Sequence, residues 1–155
     1  MPLIAVGTGR MRTRVAALID TNVLVYRFDP RFPRKQSIAT DLLRRGLRED
    51  TVRIPHQAVV EFVAVVTRPL SGGGSLLSEE DARREAEELL GQFTILYPTE
   101  SLVRSAIRGW ATYRLPWFDA HVWAYAHEYG LSEIYSEDFQ HDRHYGTVRV
   151  IDPFV

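Results

Sequence analysis

Short apolar runs suited to buried strands alternate with helical patterns along most of this 155-residue chain. Strands that are apolar throughout are typical of a parallel sheet whose two faces are covered by helices. The alternation therefore predicts an α/β fold, a three-layer α/β/α domain with a central, mainly parallel sheet. The predicted strands are 15–19, 52–55, 94–96, 134–136 and 148–151, and the predicted helices are 23–26, 38–47, 57–68, 78–92, 99–110 and 117–129.

The composition is that of an ordinary globular domain. Hydrophobic residues make up 45% of the chain and charged residues 25%, and the absence of cysteine excludes disulfides, zinc ribbons and thiol nucleophiles. No apolar stretch reaches the about 18 residues that a membrane span needs, and residues 1–14 lack the order of a secretory signal. We therefore expect one cytoplasmic domain over 15–155 behind a flexible leader, 1–14, in which Met11 is an alternative start.

Four carboxylates lie just after predicted strands or within predicted helices. Asp20 directly follows the first strand, Asp138 follows the fourth by two residues, Asp119 lies in the first turn of the last helix, and Glu61 lies in an apolar helix. The carboxyl ends of parallel strands form the edge where ligands bind in open α/β folds. Four like charges at one edge repel, so the fold must protonate some of them or bind cations.

Each carboxylate also has a purely structural explanation. Asp20 and Asp119 could cap helices, Asp138 could belong to a turn, and Glu61 could pair with a cation or face water. Their joint placement favours a metal site instead. Oxygen ligands without cysteine or a histidine cluster select Mg²⁺ or Mn²⁺ rather than Zn²⁺. The matching chemistry is hydrolysis of a phosphodiester by metal-activated water.

The basic residues are unusual because all 19 except Lys35 are arginine. A codon bias towards arginine explains this composition without any function. Alternatively, Arg27, Arg31, Arg34 and Lys35, which follow soon after Asp20, form a basic rim whose three arginines bind substrate phosphates.

A series of short motifs occurs in a fixed order: DTN at 20–22, Glu61, WFDAHVWAYA at 117–126, SEDF at 136–139 and DPF at 152–154. This order resembles that of the PIN-domain ribonucleases over nearly the whole chain, and the compact single-domain form is similar to the VapC toxins of toxin–antitoxin pairs. The resemblance implies a Mg²⁺- or Mn²⁺-dependent endoribonuclease with the four carboxylates as its catalytic, metal-binding acids. It also implies that Asn22 and Ser136 orient these acids by hydrogen bonding. Asp142, close to Asp138, could replace or supplement the fourth acid.

The same resemblance implies an RNA substrate, a homodimer and an antitoxin protein whose C-terminal segment lies over the site. A dimer would bury part of the aromatic segment 110–125 and the apolar face of 42–47. The alternatives are a housekeeping RNA-processing nuclease and a non-catalytic nucleic-acid- or protein-binding module. A haloacid-dehalogenase-like phosphatase is disfavoured because position 22 is Asn and the sole lysine comes too early.

Overall fold

The computed structural model describes residues 15–155, so the predicted leader, with Met11, lies outside the described residues. The strands are β1 (Ala17–Ile19), β2 (Val52–Pro55), β3 (Thr94–Leu96), β4 (Glu133–Tyr135), β5 (His144–Tyr145) and β6 (Val148–Ile151). The helices are α1 (Thr21–Tyr26), α2 (Pro33–Glu49), α3 (His56–Val66), α4 (Glu79–Gln92), α5 (Glu100–Tyr113) and α6 (Trp117–Glu128).

The six strands form one sheet in the order β3-β2-β1-β4-β6-β5. β1, β2, β3, β4 and β6 pair in parallel, and β5 is antiparallel to β6. Helices α5 and α6 pack on one face, whereas α1 to α4 contribute to the core on the other. The predicted three-layer α/β/α fold is confirmed.

Side chains of β1 alternate between the two cores. Leu18 belongs to the core under α5 and α6, and Ile19 belongs to the opposite core; both are fully buried. A strand of three residues is therefore apolar on both faces, as its central place in the sheet requires. Asp20 follows at once, so the first polar side chain after β1 emerges at the carboxyl edge.

The structure differs from the sequence predictions in several places. β1 begins at Ala17 rather than at residue 15, and α2 spans Pro33–Glu49 rather than 38–47. β5 was not predicted, because a strand of two residues carries no periodic signal. β4 ends at Tyr135, so Ser136 lies just beyond the strand. Leu42 and Leu43, expected to pack against a second copy, are buried inside this domain instead, whereas Leu47 is 40% exposed. Among residues 15–155 no helix is long and apolar enough to cross a membrane.

Candidate active site

Asp20 lies at the switch point of the sheet. The chain crosses from β1 to β2 on one side, whereas β4 pairs with β1 on the other, and ligands bind at the carboxyl ends of strands where the order reverses in this way. The Asp20 side chain caps α1 by accepting a hydrogen bond from the Thr21 backbone N at 2.7 Å, and its Oδ2 accepts one from Ser136 Oγ at 2.6 Å. The residue is only 3% exposed.

The hydroxyl of Ser136 holds Asp20 in a fixed orientation. Asn22 Nδ2 and the backbone N of Asp138 both donate to Ser136 Oγ, each at 3.1 Å. A serine hydroxyl has one proton to donate and two lone pairs to accept with. Because both lone pairs are engaged, its proton goes to Asp20. The structure thus joins Asn22, Ser136 and the loop after β4 to the first carboxylate.

Glu61 is held by two polar side chains, one from α1 and one from its own helix, α3. Thr21 Oγ1 donates to its Oε2 at 2.6 Å, and Gln57 Nε2 donates to its Oε1 at 3.0 Å. Gln57 also contacts the carbonyl of Phe118, one residue before Asp119, at 3.3 Å. Sequence reasoning anticipated a partner for Glu61 but missed Thr21 and Gln57. The spacing of Gln57, four residues before Glu61 on one helix, is a signal that could have identified it.

Burial and like charge act together on Asp20. The pKa of Asp20 is raised from 3.8 to about 7, mainly by burial. The charges of Asp138 and Asp119 also raise it, whereas the hydrogen bonds from Ser136 and Thr21 lower it. Hydrogen bonds alone therefore do not compensate the charge of this carboxylate. A cation beside Asp20 would favour its ionised form.

The pKa of Asp119, in the first turn of α6, is raised for the same reasons. Burial raises its pKa from 3.8 to about 6, with further contributions from the charges of Asp138 and Glu61. Asp119 is thus within electrostatic reach of Asp20, Asp138 and Glu61. The four carboxylates, here called the acidic set, come from the end of β1, from α3, from α6 and from the loop after β4.

The donor chemistry of this region fits a hard divalent cation, because carboxylate oxygens with excess negative charge are the ligands that Mg²⁺ and Mn²⁺ prefer. No group of three or more His, Asp or Glu side chains within residues 15–155 is arranged so that it could hold a metal ion. Mg²⁺ is usually bound by only one or two carboxylates together with waters and substrate phosphates. Two carboxylates of the acidic set would therefore be enough for such an ion.

Asp142 has a different partner from the four acids. Its carboxylate pairs with Arg149 Nε at 2.5 Å, and this hydrogen bond lowers the pKa of Asp142. Asp142 lies between β4 and β5 in a left-handed conformation, with φ of 62°. These contacts make it the weakest candidate among the acids named from the sequence.

The three candidate arginines have separate roles in the structure. Arg31 forms a bidentate pair with buried Asp29, with Nε–Oδ1 and Nη2–Oδ2 distances of 2.8 Å. Arg34 Nη1 donates to the Phe154 carbonyl at 2.6 Å, and the Arg27 guanidinium lies 5.1 Å from the centre of its neighbouring Phe28 ring. Of the three, Arg31 lines the cleft beside the acids.

Two of the four acids, Glu61 and Asp138, border a cleft of about 340 Å³, here called the acid-side cleft. It is lined by Thr21, Asn22, Val25, Tyr26, Asp29, Arg31, Phe32, Glu61, Val65, Glu137 and Asp138. A slightly larger cleft of about 390 Å³ lies at the opposite edge of the sheet, beside Ala17 and Val52, and includes none of the four acids. The acid-side cleft is chosen as the candidate site because of its carboxylates and its place at the switch point, and not because of its size.

Lys35, the only lysine, supports the loop that follows β4. Its Nζ donates to Glu137 Oε2 at 2.7 Å and to the Tyr26 hydroxyl at 3.1 Å, and that hydroxyl donates to Glu137 Oε1 at 2.5 Å. These hydrogen bonds, that to Glu137 first, raise the pKa of Lys35 to about 12. Glu137 stands between Ser136 and Asp138, so this network fixes the loop that carries both. Sequence reasoning had placed Lys35 in a basic rim instead.

A family model described as PIN domain matches residues 17–146. The chain belongs to the PIN-domain family. The match spans the four acids, Asn22 and Ser136 and nearly all of the sheet. No curated protein sequence matches the chain significantly.

Several solved structures share this PIN fold. A toxin–antitoxin complex from Klebsiella pneumoniae aligns with a TM-score of 0.62 and 18% identity, covering 89% of this chain and 98% of that chain. FitAB bound to the IR36 DNA fragment aligns with a TM-score of 0.66 and 20% identity, covering 90% and 96%. The sarcin-ricin loop cleaving toxin VapC20 from Mycobacterium tuberculosis aligns with a TM-score of 0.56 and 14% identity, covering 79% and 90%. At these identities the likeness is one of fold.

Proposed function

We propose that this PIN domain is a Mg²⁺- or Mn²⁺-dependent endoribonuclease that hydrolyses RNA phosphodiester bonds and acts as the toxin of a toxin–antitoxin pair. The observation that carries the proposal is the set of four carboxylates at the switch point, with Asp20 buried and its pKa raised to about 7. Such a site gains most from a divalent cation. Membership of the PIN family supports the nuclease assignment.

The residues of the chain divide the work in this proposal. Asp20, Glu61, Asp119 and Asp138 form the acidic set, from which one or two carboxylates would bind the cation directly. The bound cation would activate water and polarise the scissile phosphate. Ser136 keeps the Asp20 carboxylate in place through its 2.6 Å hydrogen bond. In the same way, Thr21 and Gln57 keep Glu61 from turning away, and Asn22 orients Ser136. No nucleophile from the protein is required.

The proposal is tested by incubating the purified chain with single-stranded RNA. We expect cleavage with Mg²⁺ or Mn²⁺, products that carry a 5′-phosphate, and complete loss of cleavage in excess EDTA. Asp20→Asn should abolish turnover while the circular dichroism spectrum is retained. Asp41→Asn, which changes an exposed aspartate of α2, is the matched control and should cleave like the wild type. Cleavage that persists in EDTA would refute the metal-dependent mechanism.

The toxin assignment rests on the structural neighbours, which include a toxin–antitoxin complex and a toxin that cleaves the sarcin-ricin loop. We infer an RNA substrate in the cytoplasm, a homodimer and a neutralising antitoxin. Expression of the chain alone in a bacterial host should arrest growth, and co-expression of a short adjacent gene with a DNA-binding N-terminus should restore it.

Two other functions give different outcomes in these assays. A housekeeping RNA-processing nuclease would cleave RNA with metal but would be harmless when expressed alone. A non-catalytic PIN-like module would bind RNA or protein without metal-dependent cleavage. The paired acids of the site favour catalysis, because a scaffold gains nothing from burying Asp20 among like charges.

A further inference from the structure

The acid-side cleft has one apolar, aromatic wall. Val25, Tyr26, Phe32 and Val65 line it, and the Phe32 ring is 44% exposed. Phe32 stands edge-to-face to Tyr26, with ring centres 5.7 Å apart and planes at 84°. This contact holds the Phe32 ring in place and leaves much of it free for another flat group.

Beside Phe32 the cleft presents an arginine, Arg31, in a fixed orientation. Two N–H groups of Arg31 are engaged by Asp29, at 2.8 Å each, and a guanidinium carries five. The side chain of Arg31 is 55% exposed, whereas that of Asp29 is 4% exposed. Asp29 therefore acts as a positioning residue that points the remaining donors of Arg31 towards solvent, in the planar form that suits a phosphate.

Apart from the acidic set, the charged side chains that line the cleft are paired with opposite charges. Asp29 is paired with Arg31, and Glu137 is paired with Lys35. The cationic groups of Arg31 and Lys35 lie 5.7 and 5.6 Å from the Phe32 ring centre. Near Phe32 an anionic strand therefore meets carboxylates that are paired with cations, whereas Glu61 and Asp138, which also line the cleft, belong to the acidic set.

We propose that the acid-side cleft is a nucleotide subsite, in which Phe32 stacks on a base of single-stranded RNA and Arg31 binds an adjoining phosphate. The inference rests on the proposed ribonuclease function and names the part of the substrate that the site recognises. The cleft reaches the catalytic region at Glu61 and Asp138, so the stacked base neighbours the scissile bond. Every base can stack on an aromatic ring. The subsite should therefore prefer unpaired RNA to paired RNA and should not select a particular base.

The test compares cleavage of fluorescent hexauridylate and hexaadenylate, with Mg²⁺, by the wild type and three variants. Phe32→Ala should raise KM about tenfold or more for both RNAs, with kcat essentially unchanged. Phe32→Trp should keep the wild-type KM, because it restores a stacking surface. Tyr129→Ala removes an aromatic ring of similar exposure, 42%, that does not line the cleft, and should leave KM unchanged.

A second measurement addresses Arg31. Arg31→Ala should weaken RNA binding and lower the salt dependence of KM by about one counterion, whereas Arg44→Ala, on the exposed face of α2, should change neither. Thermal melting of each variant confirms that it is folded.

The outcomes separate this inference from the function on which it rests. Wild-type cleavage with an unchanged KM for Phe32→Ala would overturn the subsite and leave the ribonuclease function standing. If that variant cleaves normally but escapes an antitoxin, the cleft binds protein and the inference is wrong. If the wild type neither cleaves nor binds the two RNAs, the proposed function fails and the subsite fails with it.

Discussion

Two buried aspartates of the site region, Asp20 and Asp29, show how the partner of a carboxylate determines its effect on stability. Both are 3% exposed. Asp20 accepts hydrogen bonds from neutral groups and lies near other acids, so burial raises its pKa to about 7. Asp29 accepts two hydrogen bonds from the Arg31 side chain and one from the Arg31 backbone N, and these lower its pKa. The same substitution, Asp→Asn, should therefore have opposite consequences at the two positions.

For Asp20 the unfolding free energy should fall as the pH rises. Between pH 3.8 and about 7 the native state retains a proton that the unfolded state has released, so stability declines across this window and then levels off. In EDTA at about pH 8, Asp20→Asn should stabilise the protein by up to about 4 kcal/mol. This is the destabilisation that the raised pKa of the ionised Asp20 carboxylate implies, and the neutral amide does not suffer it. The gain is reduced by a lost hydrogen bond, since an amide oxygen cannot serve both Thr21 and Ser136. Urea titrations from about pH 5 to about pH 8 measure this. A free energy of unfolding of the wild type that does not change with pH would contradict this prediction.

For Asp29 the sign is reversed. Its lowered pKa means that the ionised carboxylate stabilises the native state above pH 3.8, and this stability is lost as the pH falls through the native pKa. Asp29→Asn should destabilise the protein by roughly 1–3 kcal/mol near pH 7, because charge-assisted hydrogen bonds from Arg31 are lost. The same urea titrations provide the measurement. An equal loss at every pH would show that packing, rather than charge, is responsible.

At the scale of elements, α2 supports the loop after β4 through Lys35 and packs on the sheet through Gly46. The first contact joins the helix to Glu137, and the second places the helix backbone against β2. Each contact depends on a single residue of α2, so the two contacts can be tested separately.

Lys35→Met should lower the RNA cleavage rate and raise the Mg²⁺ concentration needed for half-maximal activity, because the loop with Ser136 and Asp138 loses its support. Lys35→Arg keeps the charge and should recover most of the activity. Arg44→Met, an exposed change on the same helix, is the control. Unchanged Mg²⁺ dependence in Lys35→Met would show that the pair with Glu137 does not position the loop.

Gly46→Ala and Gly91→Ala form a matched pair of helix substitutions. A Cβ at Gly46 would lie 2.1 Å from Val52 Cγ2, whereas at Gly91 it would meet nothing within 4 Å. We expect Gly46→Ala to cost roughly 1–3 kcal/mol of unfolding free energy through overpacking of α2 on β2. Gly91→Ala should instead stabilise the protein by about 0.5–1 kcal/mol, because alanine is the better helix former. Thermal unfolding of both variants measures the difference; equal effects would refute this account of the packing.

At the scale of the whole molecule, α5 carries an apolar stripe on its outer face. Val103, Ile107 and Trp110 recur at helical spacing and are 37%, 48% and 51% exposed. Exposed apolar patches commonly mark association sites. With Leu42 and Leu43 buried in the core, this stripe is a better candidate for the proposed homodimer than the face of 42–47.

Sedimentation equilibrium tests the homodimer. The wild type should be dimeric, and Ile107→Asp should shift it to monomer because a charge at an apolar interface must be desolvated. Leu90→Asp, at an equally exposed apolar position on α4, should leave the dimer intact. A monomeric wild type would refute the dimer, and an intact Ile107→Asp dimer would place the interface elsewhere.

The alternation of strands and helices was legible in the sequence because buried parallel strands are apolar throughout and helices repeat every 3.6 residues. Local order along the chain also placed Asp20 at the end of β1 and Asp119 in the first turn of α6. These features depend on neighbouring residues, so no long-range information was needed. β5, with two residues, was too short for such a pattern.

The partners of these residues were decided only by the tertiary structure. Ser136 lies 116 residues from Asp20, and Glu137 lies 102 residues from Lys35, so no local spacing links either pair. The same holds for Arg31, whose rigid bond to buried Asp29 separates it from Arg27 and Arg34, although all three look alike in sequence. A residue's type and neighbours determine which element it enters, whereas the packing of distant elements determines what its side chain touches, how far it is desolvated and what chemistry it can support.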